Sequence, residues 1–141
     1  MRRATTISGF ATGASPIVVA AYTAQEAVLS GYSAAGPLNP SPHTPQPSRD
    51  GPDLAAKGDA SWVLRGVYSA GSRSGSWVRG AGTSTAAPQV ARLAAEEIGA
   101  STVSARTWAQ PAATNHPFAL EDAPSPERAG AGAIKLPDGG V

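Results

Sequence analysis

Gly82-Thr83-Ser84-Thr85-Ala86-Ala87-Pro88-Gln89-Val90-Ala91-Arg92 is the stretch whose reading decides the fold. A glycine, three hydroxyl residues and a run of small and apolar residues read as a loop turning into a helix. Thr83 or Ser84 is the expected cap, its side-chain oxygen accepting from a free N–H of the first turn. Pro88 is expected at the edge of that turn, where its missing donor costs at most one helical bond. Ala87, Val90, Ala91, Ala94 and Ile98 repeat at helical spacing, Arg92, Glu96 and Glu97 lie off that face, and Gly99 is the expected stop.

A serine at a helix N-terminus is also well placed for nucleophilic chemistry, because unpaired N–H groups and the positive end of the helix dipole can hold an oxyanion. On spacing alone an ordinary capped helix is the better reading. Residue identity changes the balance: Gly-Thr-Ser-x-Ala-x-Pro, at positions 82 to 88, resembles the nucleophile motif of the subtilisin-like serine peptidases. The resemblance implies that Ser84 is the catalytic serine and that Gly82, Thr83 and Ser84 form the oxyanion-bearing motif. It also implies an α/β domain, mostly parallel in its sheet, with the nucleophile at the start of a central helix.

Weaker resemblances follow the same family order on both sides of the motif. Ile17-Val18-Val19-Ala20-Ala21-Tyr22 reads as a strand buried on both faces and is similar to the family's Val-Ile-x-Val-Gly-Ala strand. Tyr32-Ser33-Ala34-Ala35-Gly36-Pro37 looks like an aromatic-Ser-x-x-Gly-Pro turn. Pro52-Asp53-Leu54-Ala55-Ala56-Lys57-Gly58 resembles Pro-Asp-hydrophobic-x-Ala-Pro-Gly, with Lys57 at the place of a proline. Gly130-Ala131-Gly132-Ala133-Ile134 resembles the Gly-x-Gly-hydrophobic strand that closes the domain. The likeness spans residues 15 to 136, so the whole chain, 1 to 141, reads as a single partial domain.

Between these segments, Leu38 to Gly51 and residues 111 to 127 are proline-rich and read as surface loops. Ser61–Ser69 and Ser76–Gly80 flank a Gly/Ser-rich turn and read as a hairpin. Trp62 and Trp77 are expected to pack on a sheet face. Val103 to Ala109 reads as a short helix ended by Pro111, and Lys135 to Val141 as a fraying end.

Serine needs an imidazole to take its proton, and the imidazole needs a carboxylate to orient it. In the family the order is Asp, His, oxyanion Asn, then Ser, and only the last has a counterpart here. His43 and His116 read as solvated loop residues rather than general bases, and Asn39 and Asn115 lack the family's Gly-Asn context. Asp53 reads as structural, hydrogen-bonding nearby backbone. The expectation is therefore a C-terminal portion of a serine endopeptidase, inactive alone, with a separately encoded N-terminal fragment as its complementary partner. The competing expectation is a non-catalytic descendant used as a binding or assembly module, Ser84 surviving as a helix cap.

Composition narrows the partners. The 141 residues carry a formal net charge of +1 with scattered charges, which makes no electrostatic case for nucleic acid. No apolar run approaches the roughly 20 residues of a membrane span. The chain has no cysteine, hence no disulfide or thiolate metal site. The acyl-transfer chemistry calls for a polypeptide substrate and no cofactor or metal, and Glu121 and Asp122 read as a solvated loop pair rather than a calcium site. Met1-Arg2-Arg3 and the apolar residues after it make a poor secretion signal, interrupted by Gly9, Gly13 and Pro16, although secretion is the family expectation.

Overall fold

The protein is described from a computed structural model, over residues 7, 11, 13, 15–36, 49–99 and 105–136. Expectations for His43, Asn39 and most of the first proline-rich stretch lie outside those residues. The fold is α/β. A five-stranded sheet runs in the order β2-β1-β3-β7-β6, where β1 is Val19–Thr23, β2 Val28–Leu29, β3 Leu54–Asp59, β6 Pro117–Phe118 and β7 Ala133–Ile134. The central strands β1, β3 and β7 are parallel, whereas β2 and β6 pair antiparallel at the two edges. The sheet is thus mixed, with as many antiparallel as parallel pairings, rather than mostly parallel.

Alternation along the central strands sends side chains to two cores. Ala21, Leu54, Ala56 and Ile134 face a helical layer made by α1, Thr83–Ile98, and α2, Ala105–Asn115. Ala20, Tyr22, Ala55 and Ala133 face the other way, against Leu29, Ala129 and Phe118. With both faces covered, the strands read as continuous small and apolar runs, as parallel strands do. The alanines let α1 lie close to β1 and β3. Tyr22 fills the opposite side, stacked on Phe118 at 4.4 Å and donating its hydroxyl to Ile134 O at 2.8 Å. Burial pushes the Tyr22 phenol up to about 12.

Helix α1 buries Ala86, Val90, Leu93 and Ala94. The apolar face is therefore rotated from the expected one: Ala87 and Ala91 are exposed, and Leu93 replaces them. Alanine suits either side of a helix, so its spacing carries little information, while the single leucine decides the face. Arg92 and Glu96 pair across one turn in solvent, and Gly99 ends the helix at φ 52° with its N–H on Ala95 O.

The second half of the chain is more ordered than its prolines suggest. Helix α2 runs through Pro111 to Asn115, β6 follows at once, and a short helix α3, Pro126–Ala129, precedes β7. Pro111 removes one N–H donor, and burial of Trp108, Ala109 and Ala112 against the sheet holds the helix on both sides of it. Asp122 is likewise more than solvated, since its carboxylate accepts from Leu29 N at 3.3 and 3.4 Å. Of the first proline-rich stretch, Arg49 and Gly51 are buried rather than solvated. Lys135 is held too, its N–H donating to His116 O at 2.8 Å.

Candidate functional site

The Ser84 junction lies at the carboxyl end of β3, beside the parallel β1–β3 pair. Gly82 N–H donates to Gly58 O at 2.9 Å, fixing the loop to the strand end. Gly82 has φ 119° and ψ 174°, a backbone region that glycine alone enters at low cost. The helix begins immediately: Gly82 O accepts from Thr85 N at 3.0 Å and Ala86 N at 3.2 Å. Gly82 is the N-cap and no side chain caps the helix, so neither Thr83 nor Ser84 serves as the cap expected from sequence. Ser84 is the second helical residue, and it is exposed.

Two neighbours shape the junction further. Pro88 lies inside α1 rather than at the edge of its first turn. An ordinary residue there would donate to the carbonyl of Ser84, four positions earlier, so the proline takes that helical partner away from Ser84 O. Gln89 donates from Nε2 to Lys57 O at 2.8 Å and Thr85 O at 2.7 Å, a second tie between the helix start and β3. Gly58 must be glycine: a Cβ would stand 2.5 Å from Ala21 Cβ, 3.0 Å from Gly82 O and 3.2 Å from the Tyr32 hydroxyl. The last of these distances places Tyr32, an exposed side chain, at the rim of the junction.

The other sequence candidates lie elsewhere. His116 Nε2 contacts Glu97 Oε1 at 2.5 Å, and Trp108 Nε1 donates to Glu97 Oε2 at 2.8 Å. Glu97 is thirteen residues beyond Ser84 on the same helix, about 20 Å along its axis, so His116 does not reach the serine. Asn115 ends α2 next to it. The His116 hydrogen bond holds the Glu97 carboxyl below its ordinary range, partial burial opposing and Trp108 assisting.

Asp53 is a structural residue. Its Oδ2 accepts from Val18 N at 2.7 Å and Arg49 at 2.6 Å, and its Oδ1 from Arg106 at 2.9 Å. These partners tie the amino ends of β1 and β3 to α2, at the opposite end of β3 from Gly58. Arg49, with no side-chain exposure, also donates to Gly13 O at 2.6 Å and Pro16 O at 2.8 Å. The four-residue spacing of Arg49 and Asp53 is the one sequence signal for this pair, and it sits in a proline-rich segment that reads as loop.

Hairpin strands β4, Val67–Ala70, and β5, Trp77–Gly80, lead into the junction and pair as expected. Gly80 packs beside Thr85, where an added Cβ would lie 3.1 Å from Thr85 Oγ1. Trp62 and Trp77, expected to pack, are instead 64% and 57% exposed. A shallow groove of about 430 Å³ lies in the hairpin turn, lined by Gly71, Arg73, Ser76 and Trp77 among others, and not at Ser84. Among the described residues no group of three His, Asp or Glu could hold a metal ion, and no helix is long and apolar enough to cross a membrane.

Comparison with protein-family models, curated proteins and solved structures finds no match to this chain.

Proposed function

We propose that the chain is the nucleophile-bearing part of a subtilisin-like serine endopeptidase, with Ser84 as the acyl-forming residue. The observation that carries the reading is Ser84 itself: exposed, uncommitted to capping, at the second position of a helix that starts beside the carboxyl end of a parallel strand pair. The motif at positions 82 to 88 is the second support, independent of geometry.

In this reading Ser84 Oγ attacks the carbonyl carbon of a polypeptide, and its proton passes to an imidazole. The N–H of Ser84, unused by the helix because it belongs to the first turn, donates to the oxyanion. The amide C–N bond then breaks, the amine leaves with the proton, and water hydrolyses the acyl ester. Among the described residues no histidine reaches Ser84, so the proposal requires an imidazole, its carboxylate and an oxyanion asparagine from polypeptide other than those residues. Without them only about 10³ to 10⁴-fold acceleration over water would remain, and that only with an intact oxyanion hole.

The test is fluorophosphonate labelling of the full chain, alone and with the polypeptide encoded immediately upstream of Met1. Labelling at Ser84 only in the presence of that polypeptide, abolished by Ser84→Ala, is the expected result. An upstream sequence with no Asp, His or Asn motif, or labelling that survives Ser84→Ala, would overturn it.

A further inference from the structure

Six of the seven large apolar or aromatic side chains exposed among the described residues fall between positions 62 and 78: Trp62, Val63, Leu64, Tyr68, Trp77 and Val78. Scattered singly such residues need no explanation, but confined to one excursion they mark a contact surface. The register of the hairpin shows how they are arranged. Tyr68 stands opposite Arg79 and Ala70 opposite Trp77, so these four share one face, and all four are exposed. Arg79 lies over the Tyr68 ring at 4.4 Å from its centroid and donates to its hydroxyl at 2.7 Å, a cation held against an aromatic ring.

Charge on this excursion is of one sign. From Ala60 to Ala95 the sequence contains Arg65, Arg73, Arg79 and Arg92 and neither Asp nor Glu. Arg92 is paired with Glu96, whereas among the described residues Arg65, Arg73 and Arg79 form no ion pair. Two carboxylates lie at the base. Glu26 accepts from Trp62 N at 3.0 Å, and Asp59 is buried, accepting from Ala60 N at 3.0 Å and from Gly66 N. Both are turned to backbone donors of the excursion's first residues, and neither neutralises the outer arginines.

We infer that the β4–β5 hairpin docks an extended polypeptide that carries acidic and apolar side chains in turn at every second position, on one face. The two strands form a sheet of their own, so among the described residues each keeps one unpaired edge of alternating N–H and C=O groups, which an added strand matches along its length. An extended chain on such an edge projects every second side chain to the face shared by Arg79, Trp77 and Tyr68: acidic ones in that set reach Arg79, and apolar ones in the same set lie on Trp77 and Tyr68. As a statement about substrate this rests on the reading of Ser84 above, because β5 leads through Ala81 and Gly82 to the serine. As a statement about binding it stands on the hairpin.

The test is fluorescence anisotropy with the full chain and a fluorescein-labelled peptide whose every second residue is Glu, Leu, Glu and Phe in turn with Ser between them, beside the same peptide with Lys for Glu. The acidic peptide binds and the basic one does not. Arg79→Glu and, separately, Trp77→Ser weaken binding about tenfold or more, the loss expected of interface anchors, with unchanged circular dichroism. Ser84→Ala leaves binding unaltered, which separates this inference from the peptidase reading. Equal affinity for both peptides would overturn it. So would Arg79-dependent binding of phosphatidylglycerol vesicles or single-stranded DNA in place of the peptide.

Discussion

Gly82 N–H is bonded to Gly58 O at 2.9 Å, and nothing larger than hydrogen fits on Gly58 beneath that bond. A Gly58→Ala methyl would meet Ala21 Cβ at 2.5 Å and Gly82 O at 3.0 Å, both parts of packed backbone elements rather than flexible side-chain tips. Overpacking of this kind costs about 1–3 kcal/mol. Urea unfolding should show that loss, and hydrogen exchange at Gly82 should accelerate. An unchanged midpoint with unchanged exchange would show that the strand end and the helix start are not in contact as described.

Ser84→Ala separates a cap from a bystander in the folding ledger. A capping serine loses about 1 kcal/mol on truncation. Since Gly82 is the cap and Ser84 is exposed, the substitution should change stability by no more than about 0.5 kcal/mol. A loss of cap size in chemical denaturation would revive the reading of this serine as a structural remnant.

Asp53 neutralises Arg49, whose side chain has no solvent exposure. Asp53→Leu strands that guanidinium and should destabilise by about 3–5 kcal/mol. Adding Arg49→Met removes the stranded charge, so the double variant should be more stable than Asp53→Leu alone. If the two losses simply add, the pair is not the unit that matters at this end of the sheet.

Alkaline titration should single out Tyr22. Its folded pKa is raised to about 12 by burial, above an unfolded value of about 10. The stability this contributes is fully present below about pH 10 and is lost as pH rises through about 12. Tyr22→Phe should cost about 1 kcal/mol at neutral pH through the hydrogen bond to Ile134 O, and should remove that part of the alkaline loss. Tyrosinate absorbance rising fully before the protein unfolds would contradict the burial.

Glu97 should govern part of the acid limb. Its folded pKa is depressed, first by the His116 hydrogen bond. The corresponding stability is present above the unfolded carboxyl pKa and lost as pH falls through the folded one. Glu97→Gln should flatten the stability profile over that acidic window, and an unaltered profile would mean that the α1–α2 contact carries no pH dependence.

Much of this fold is legible in the sequence. A continuous apolar run reads as β1, the Gly/Ser turn marks the hairpin, and Gly99 marks the end of α1, whereas the cap falls on Gly82 and not on Thr83 or Ser84. What escaped reading is set by partners far along the chain. Residues 117 to 118 are a strand because β7 is beside them, and α2 crosses Pro111 because Trp108 and Ala112 are buried. Local propensity holds no record of either. Asp53 was legible as structural but not as the partner of Arg106, which lies 53 positions away. The exposure of Trp62 and Trp77 ran against the ordinary tendency of tryptophan to bury.

The contact between Gly82 and Gly58 also closes the neck of a long detour. The chain from Ser61 to Ala81 leaves the sheet and returns to the end of β3, where backbone atoms stitch the exit to the entrance. Lengthening, trimming or recolouring the detour therefore leaves the helix start where it is. A chain built this way can vary that detour while keeping the Ser84 hydroxyl in register with the end of β3.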